Sequence, residues 1–205
     1  MSDPTVHSLL ALVLGYLLGS IPFGLVLSKA AGLGDVRKIG SGNIGATNVL
    51  RTGNKPIALA TLLLDGGKGA LAYLIALKLA PDVAPLAGAA AFLGHLYPVY
   101  LGFKGGKGVA TFGGLLCALA WPVGLLWGST WLIVLALFRM SSLAGLMSAA
   151  LSPFYAWIFA DSPTVILTGA LAIAIFIKHE ANIRRILAGT EPRIGKKDKT
   201  DTSES

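Results

Sequence analysis

Charge is scarce in this chain. Only 13% of its 205 residues are Asp, Glu, Lys or Arg, against roughly a quarter in soluble domains. With 54% hydrophobic residues and a mean hydropathy of +0.71, a soluble globular domain is excluded and an integral membrane protein is indicated. Cysteine is nearly absent: Cys117 stands alone in an apolar run, so no intramolecular disulfide can form, and an inert buried thiol is expected. The three histidines are scattered and the ten acidic residues lie mostly outside the polar clusters, which leaves no plausible metal-ligand set. The opening MSDPTVHS lacks the basic region and the small-residue cleavage site of a signal peptide, and the apolar stretch after it is too long for one. It reads as a retained first span.

What is present is a series of apolar segments at 8–30, 56–80, 84–103, 107–121, 122–138, 142–160 and 163–178. A spanning helix needs about 20 such residues, so the chain is nearly all membrane. The stretch 107–138 holds 32 residues, about 48 Å as one helix, too long for a single crossing, and it is divided at Trp121-Pro122. The expected fold is all-α and polytopic, with about seven transmembrane helices. One transmembrane catalytic domain covers 1–192, and a charged, disordered tail covers 193–205. With the N-terminus outside, nearly every base falls on loop 29–55, loop 103–108, the turn at Arg139 and the tail from Lys178, while the opposite face keeps Asp3, Lys78, Asp82 and Asp161. That bias places the C-terminus inside; five spans with re-entrant pieces would give the same orientation. The net charge of +7 fits charge bias between the faces, anionic headgroups or an anionic substrate better than nucleic acid.

Three polar clusters fall on the basic face. In KIGSGNIGATNVLR, residues 38–51, Gly40, Gly42 and Gly45 match G-x-G-x-x-G, and Asp65 follows twenty residues later. A dinucleotide site needs a preceding strand in a βαβ unit, whereas membrane spans flank this loop, so that reading is rejected. The surviving physics is a glycine backbone able to converge on an anion, with neutral donors from Ser41, Asn43, Thr47 and Asn48 and a phosphate fork from Arg51. A polar interhelical loop with turn glycines is the plainer alternative. The second cluster is KGGKG: Lys104 and Lys107 flank Gly105-Gly106, and Gly108 follows. No Ser or Thr follows the lysine to hold magnesium, so this is no Walker loop. A phosphate cradle at a helix start and lysines that merely face the cytoplasm both remain open.

The third cluster, KHEANIRRILAGTE, continues the last span. On one helix His179, Asn182 and Ile186 share a face, while Glu180 pairs with Arg184. His179 is a candidate general base or hydrogen-bond donor. An interfacial histidine on a basic helix end is the alternative. Asp65 and Lys68 form the one clear intramembrane charge pair, read as structural, and His95 is expected to bond a neighbour near the GGKG loop.

SIPFG at 20–24, GSGNIGATNVLR at 40–51, HLYPVYLGFKGGKGVAT at 95–111 and KHEANIRRILAGTE at 178–191 closely resemble the bacterial acyl-phosphate:glycerol-3-phosphate acyltransferase family, PlsY. RMSSLAG around Ser142 is similar as well. The resemblance implies an enzyme of the bacterial inner membrane with its active site facing the cytoplasm. It would move a fatty acyl group from acyl phosphate to the sn-1 hydroxyl of glycerol 3-phosphate, giving lysophosphatidate and phosphate at the first step of phospholipid synthesis. Family roles then fall on Ser41 and Arg51, on the Gly105–Gly108 loop with Lys107, and on His179 with Asn182, with Glu191 mainly structural and Ser142 among the phosphate-binding residues. Lys107, Arg51 and Ser41 are assigned to glycerol 3-phosphate, and Lys104 with the other first-loop donors to acyl phosphate. Membrane lipid is the remaining partner, and no cofactor or metal is expected. An organic-phosphate transporter is the rival, disfavoured because its donors would sit near the midplane between repeats. Acyl-chain preference and oligomeric state are not set by the sequence.

Overall fold

The computed structural model describes residues 4–195; residues 196–205, most of the expected tail, lie outside the described residues. The described chain is helical throughout: α1 (Pro4–Ser20), α2 (Phe23–Ala30), α3 (Ala46–Leu50), α4 (Lys55–Leu79), α5 (Ala84–Leu96), α6 (Val109–Leu119), α7 (Trp121–Phe138), α8 (Ser141–Phe159), α9 (Ser162–Lys178) and α10 (Glu180–Leu187). Each of the seven apolar segments is helical. Four helical stretches are long and apolar enough to cross a membrane, and six are if the bent pairs α1–α2 and α9–α10 each count as one span. The seventh segment forms α6, whose 11 residues rise only about 16 Å, half a hydrocarbon core.

Local chemistry sets the boundaries. Pro22, which carries no N–H, sits at the 42° bend between α1 and α2. Pro56, Pro122 and Pro163 lie in the first turns of α4, α7 and α9, where the missing N–H costs nothing. Asn54 and Asp161 cap α4 and α9 by accepting from Ile57 N at 3.1 Å and Thr164 N at 3.0 Å. The division at Trp121-Pro122 is confirmed, with Ala120 closing α6 and opening α7.

The interior mixes an apolar core with small polar residues, while the flanks are apolar. Ser20, Thr61, Thr111, Ser148 and Ser152 are fully buried, whereas Leu63, Leu137, Ile166 and Ile177 are exposed on the flanks, where lipid rather than water is the solvent. Small residues draw the helices together. A methyl group on Gly19 would overlap the Ala91 carbonyl, one on Gly94 the Tyr16 carbonyl, and one on Gly114 the Gly66 carbonyl. α1 against α5, and α4 against α6, therefore pack backbone to backbone.

Cys117 departs from expectation. α6 turns Phe112, Leu115 and Leu116 into the core, and Cys117, off that stripe, is exposed rather than buried. The C-terminal segment departs too. The Ile194 N–H donates to Arg139 O at 2.7 Å and Arg139 Nε donates to Ile194 O at 3.0 Å, so the first residues past 192 are tied to the α7–α8 turn.

Candidate active site

One cavity of about 530 Å³ draws its walls from the loop before α3, the start of α6, the start of α8, and the α9–α10 break with the segment after α10. Those are the three clusters of the basic face. A second cavity at the opposite ends of the helices is lined by Asp82, Asp161 and Trp121 among others, so the polar site belongs to one end of the bundle.

The first wall is organised by Asn48. Its side chain is buried, its amide donates to Val36 O (2.7 Å), Asn43 O (2.8 Å) and Ile39 O (3.2 Å), and its Oδ1 accepts from Ser41 N (3.1 Å) and Ser41 Oγ (3.3 Å). An amide has two N–H donors, and three carbonyls already claim them. Asn48, expected as a phosphate donor, instead pins the loop shape. Gly40, at φ 52°, sits where a side chain would collide with Asn48 and Arg51. Arg51 is exposed and lines the cavity; it makes no ion pair among the described residues, which leaves its planar fork available to an oxyanion. Gly40, Ser41, Asn43, Gly45, Thr47 and Asn48 line the cavity and Gly42 does not.

The second wall divides the GGKG loop. Gly106 N donates to His95 O at 3.0 Å, and a methyl group on Gly105 or Gly106 would overlap the His95 backbone or ring. These two glycines let the loop lie flat on the end of α5 and do not line the cavity. Lys104, expected to bind phosphate, is exposed and stands outside it. Lys107 and Gly108 do line it, Gly108 at φ 82° as the N-cap of α6.

The third wall is a relay of charge-assisted hydrogen bonds. Lys107 Nζ donates to Asn182 Oδ1. Asn182 Nδ2 donates to Glu191 Oε1 at 2.6 Å, which also receives Ser142 Oγ at 2.6 Å, while Arg185 Nε donates to Glu191 Oε2 at 2.7 Å. An ammonium on one side and a carboxylate on the other admit only this orientation of the Asn182 amide. Burial alone would raise the Glu191 carboxyl, but the donors Ser142, Asn182 and Arg185 outweigh it and hold its pKa below the usual glutamate value. Burial lowers the Lys107 ammonium to about 8; Glu191 opposes that shift, and Arg185 and Arg51 add to it.

His179 is buried at the junction where the chain bends by 66° between α9 and α10. The expected continuous helix is broken there because the His179 ring competes with the backbone: both its N–H (3.0 Å) and its Nδ1 (2.8 Å) reach Ile175 O. A carbonyl only accepts, so Nδ1 carries the hydrogen and the neutral ring offers the Nε2 lone pair. The bend leaves His179 and Asn182 on the cavity and Ile186 off it. Glu180 pairs with Arg184 at 2.6 Å outside, as the sequence indicates.

Beneath these walls, Lys68 Nζ donates to Asp65 Oδ1 (2.9 Å) and Ile21 O (3.0 Å) and lies 2.8 Å from His95 Nδ1. Asp65 and His95 reach the cavity floor. Leu62, Trp127, Trp131 and Leu132 form an apolar side. The tryptophans and Arg185 carried no distinctive spacing in the sequence. Arg185 lies within KHEANIRRILAGTE, and only the fold joins it to Glu191.

Comparison with known proteins agrees with this geometry. A family model described as Glycerol-3-phosphate acyltransferase matches residues 9–189. A protein of Cereibacter sphaeroides called glycerol-3-phosphate acyltransferase is 65% identical over 186 residues, covering 90% of this chain and 92% of the relative. A crystal structure of PlsY, an integral membrane glycerol 3-phosphate acyltransferase, in its glycerol 3-phosphate form, superposes with a TM-score of 0.86 at 38% identity, over 92% of this chain and 96% of that one. The lysophosphatidic acid form gives 0.84 at 37%, over 92% and 95%.

Proposed function

We propose that this chain, which belongs to the glycerol-3-phosphate acyltransferase family, takes its acyl group from an acyl phosphate and delivers it to the sn-1 hydroxyl. The chain is a membrane glycerol-3-phosphate acyltransferase; the donor and the position acylated are what the site's chemistry adds. The observation that supports the reading is one cavity lined by two cations suited to phosphate, the exposed Arg51 and Lys107 with N–H bonds beyond the one given to Asn182, beside an apolar side of Leu62, Trp127, Trp131 and Leu132. Two phosphorylated substrates, one with a fatty chain, fit such a lining.

The chemistry needs little covalent help. The hydroxyl oxygen bonds to the acyl carbonyl carbon, the bond from that carbon to the phosphate oxygen breaks, and the hydroxyl proton leaves on the released inorganic phosphate, with lysophosphatidate as the other product. An acyl phosphate is already activated, so alignment and charge neutralisation dominate. Lys107, Arg51 and Ser41 hold glycerol 3-phosphate. Asn182 and Glu191 keep the Lys107 ammonium in place, and the His179 Nε2 lone pair orients the attacking hydroxyl by accepting its hydrogen bond, takes its proton as the new bond forms and passes it to the departing phosphate. Asn43 and Thr47 supply donors toward the acyl-phosphate anion. The clusters gather at one end of the bundle rather than at its middle, which favours catalysis over the transporter reading. Basic loops at that end support an inner-membrane protein whose site faces the cytoplasm.

The test is lysophosphatidate formation by detergent-purified protein from palmitoyl phosphate and glycerol 3-phosphate, with palmitoyl-CoA as the comparison donor and a chelator present. Turnover with palmitoyl phosphate alone is expected. Turnover with palmitoyl-CoA alone overturns the donor assignment.

A further inference from the structure

Gly128 is a glycine that the fold itself does not require. It lies inside α7, and its backbone is not among the positive-φ positions. In a helix glycine is the weakest former after proline, because it gives up the most backbone freedom and brings no side chain to pack. Its neighbours have a steric reason to be glycine. A methyl group on Gly113 would overlap the Trp127 ring, and one on Gly124 would overlap the Cys117 backbone. A methyl group on Gly128 would meet nothing within 4 Å, although the residue is half-buried. Gly128 lines the cavity of the candidate active site, so the space beside it is cavity space.

Four residues of α7 line that cavity: Trp127, Gly128, Trp131 and Leu132. Their spacing of i, i+1, i+4 and i+5 gathers them on one helix face. Trp127 is held from behind, with its ring against Gly113 and the fully buried Phe112 meeting it edge-on at 6.5 Å between centroids. The face is thus three large apolar side chains and one bare position.

We infer that Gly128 is a specificity-determining residue for the acyl substrate: the bare position on the cavity face of α7 leaves the room in which a long fatty chain lies against the helix. Each methylene that the chain buries adds to its selection, and a side chain at 128 would take the volume those methylenes need. The loss grows with the size of that side chain and with the length of the acyl chain. Glycerol 3-phosphate, held by Ser41, Arg51 and Lys107, needs none of this volume. The inference rests on the apolar side receiving the fatty chain, and not on which activated acyl group is the donor.

The test is chain selectivity in detergent-purified full-length protein, read as the ratio of kcat/KM for palmitoyl phosphate to that for decanoyl phosphate. Gly128→Leu is expected to lower the ratio by about tenfold or more, and Gly128→Ala by less, while KM for glycerol 3-phosphate moves by no more than about twofold. Gly128→Ala is expected to unfold at no lower temperature than wild type, since alanine favours the helix. Gly169 of α9 also meets nothing within 4 Å and lies off the cavity, so Gly169→Leu is expected to keep the wild-type ratio. An unchanged ratio in folded Gly128→Leu, or an equal fall in Gly169→Leu, overturns the inference. Should Gly128→Leu fail to fold, Gly128→Ala decides, and an unchanged ratio there overturns it. An unchanged ratio beside a raised KM for palmitoyl phosphate in Trp131→Ala removes Gly128 alone; no shift in either variant removes the acyl chain from this side of the cavity. Should wild-type protein turn over palmitoyl-CoA and not palmitoyl phosphate, the donor reading fails, and the ratio of palmitoyl-CoA to decanoyl-CoA decides this inference.

Discussion

Glu191 accepts a hydrogen bond from Ser142 Oγ at 2.6 Å across 49 residues of sequence. The bond joins the start of α8 to the segment after α10, and through the same carboxylate oxygen it reaches Asn182 and then Lys107. A buried network of this kind holds a cation at one place for an incoming anion.

Cutting the network at its ends should show its coupling. Ser142→Ala is expected to lower stability by about 1 kcal/mol, the net value of one such bond. Glu191→Gln should raise KM for glycerol 3-phosphate by about tenfold by loosening Lys107. Thermal unfolding and kinetics of both single variants and the double variant check this. Additive effects would show that Ser142 and Glu191 act independently.

Glycerol 3-phosphate affinity should fall at alkaline pH. Lys107 has a pKa of about 8, set by burial. A bound phosphate favours the ammonium, so binding takes up a proton near that pH, and affinity declines by up to about tenfold per unit above it. For stability the sign is the reverse of a salt-bridged lysine. The folded pKa lies below the unfolded value, so the Lys107 penalty is full below about 8 and is relieved as pH rises toward the unfolded value. Calorimetric titration in two buffers of different ionisation heat measures the proton uptake, which Lys107→Met should abolish.

The floor should tolerate loss of both charges better than loss of one. Lys68→Met leaves the Asp65 carboxylate buried without its partner, at an expected cost of about 3–5 kcal/mol. Adding Asp65→Asn removes the orphaned charge and should recover a large part of that cost. Thermal unfolding in detergent reads it; a double variant no more stable than Lys68→Met would show that Asp65 carries no unmet charge.

Trimming the apolar side should separate the two substrates. Trp131→Ala opens the apolar side that Trp131 shares with Leu62 and is expected to raise KM for palmitoyl phosphate by about tenfold or more, the scale of a few lost methylene contacts. KM for glycerol 3-phosphate should stay nearly constant. Equal shifts in both constants would place Trp131 in the shared fold rather than on the acyl side.

The separate helical segments, the break at Trp121-Pro122 and the grouping of Ser41, Arg51, Lys107, His179 and Asn182 are legible in the sequence. Each rests on a local quantity: an apolar run, a proline, or a motif beside a span. Other features rest on atoms far apart in the chain. Asn48 looks like a free donor until Val36 and Ile39 bring their carbonyls to it. Lys104 and Lys107 look equivalent until Gly105 and Gly106 settle on His95 and leave one lysine outside the cavity. His179 looks mid-helix until its ring takes a share of the Ile175 carbonyl and the chain turns. Arg185, Trp127 and Trp131 follow no spacing that marks them.

The sequence by itself determined that this chain lies in a membrane, which segments are apolar enough to form its helices, and which end gathers the bases. Those follow from transfer free energies and backbone preferences that each residue carries wherever it is placed. Only the tertiary structure decided which donors remain free, which lysine lines the cavity, and which nitrogen of His179 bears a hydrogen. A hydrogen bond needs a partner within about 3 Å and in the right direction, and in this fold those partners come from other helices.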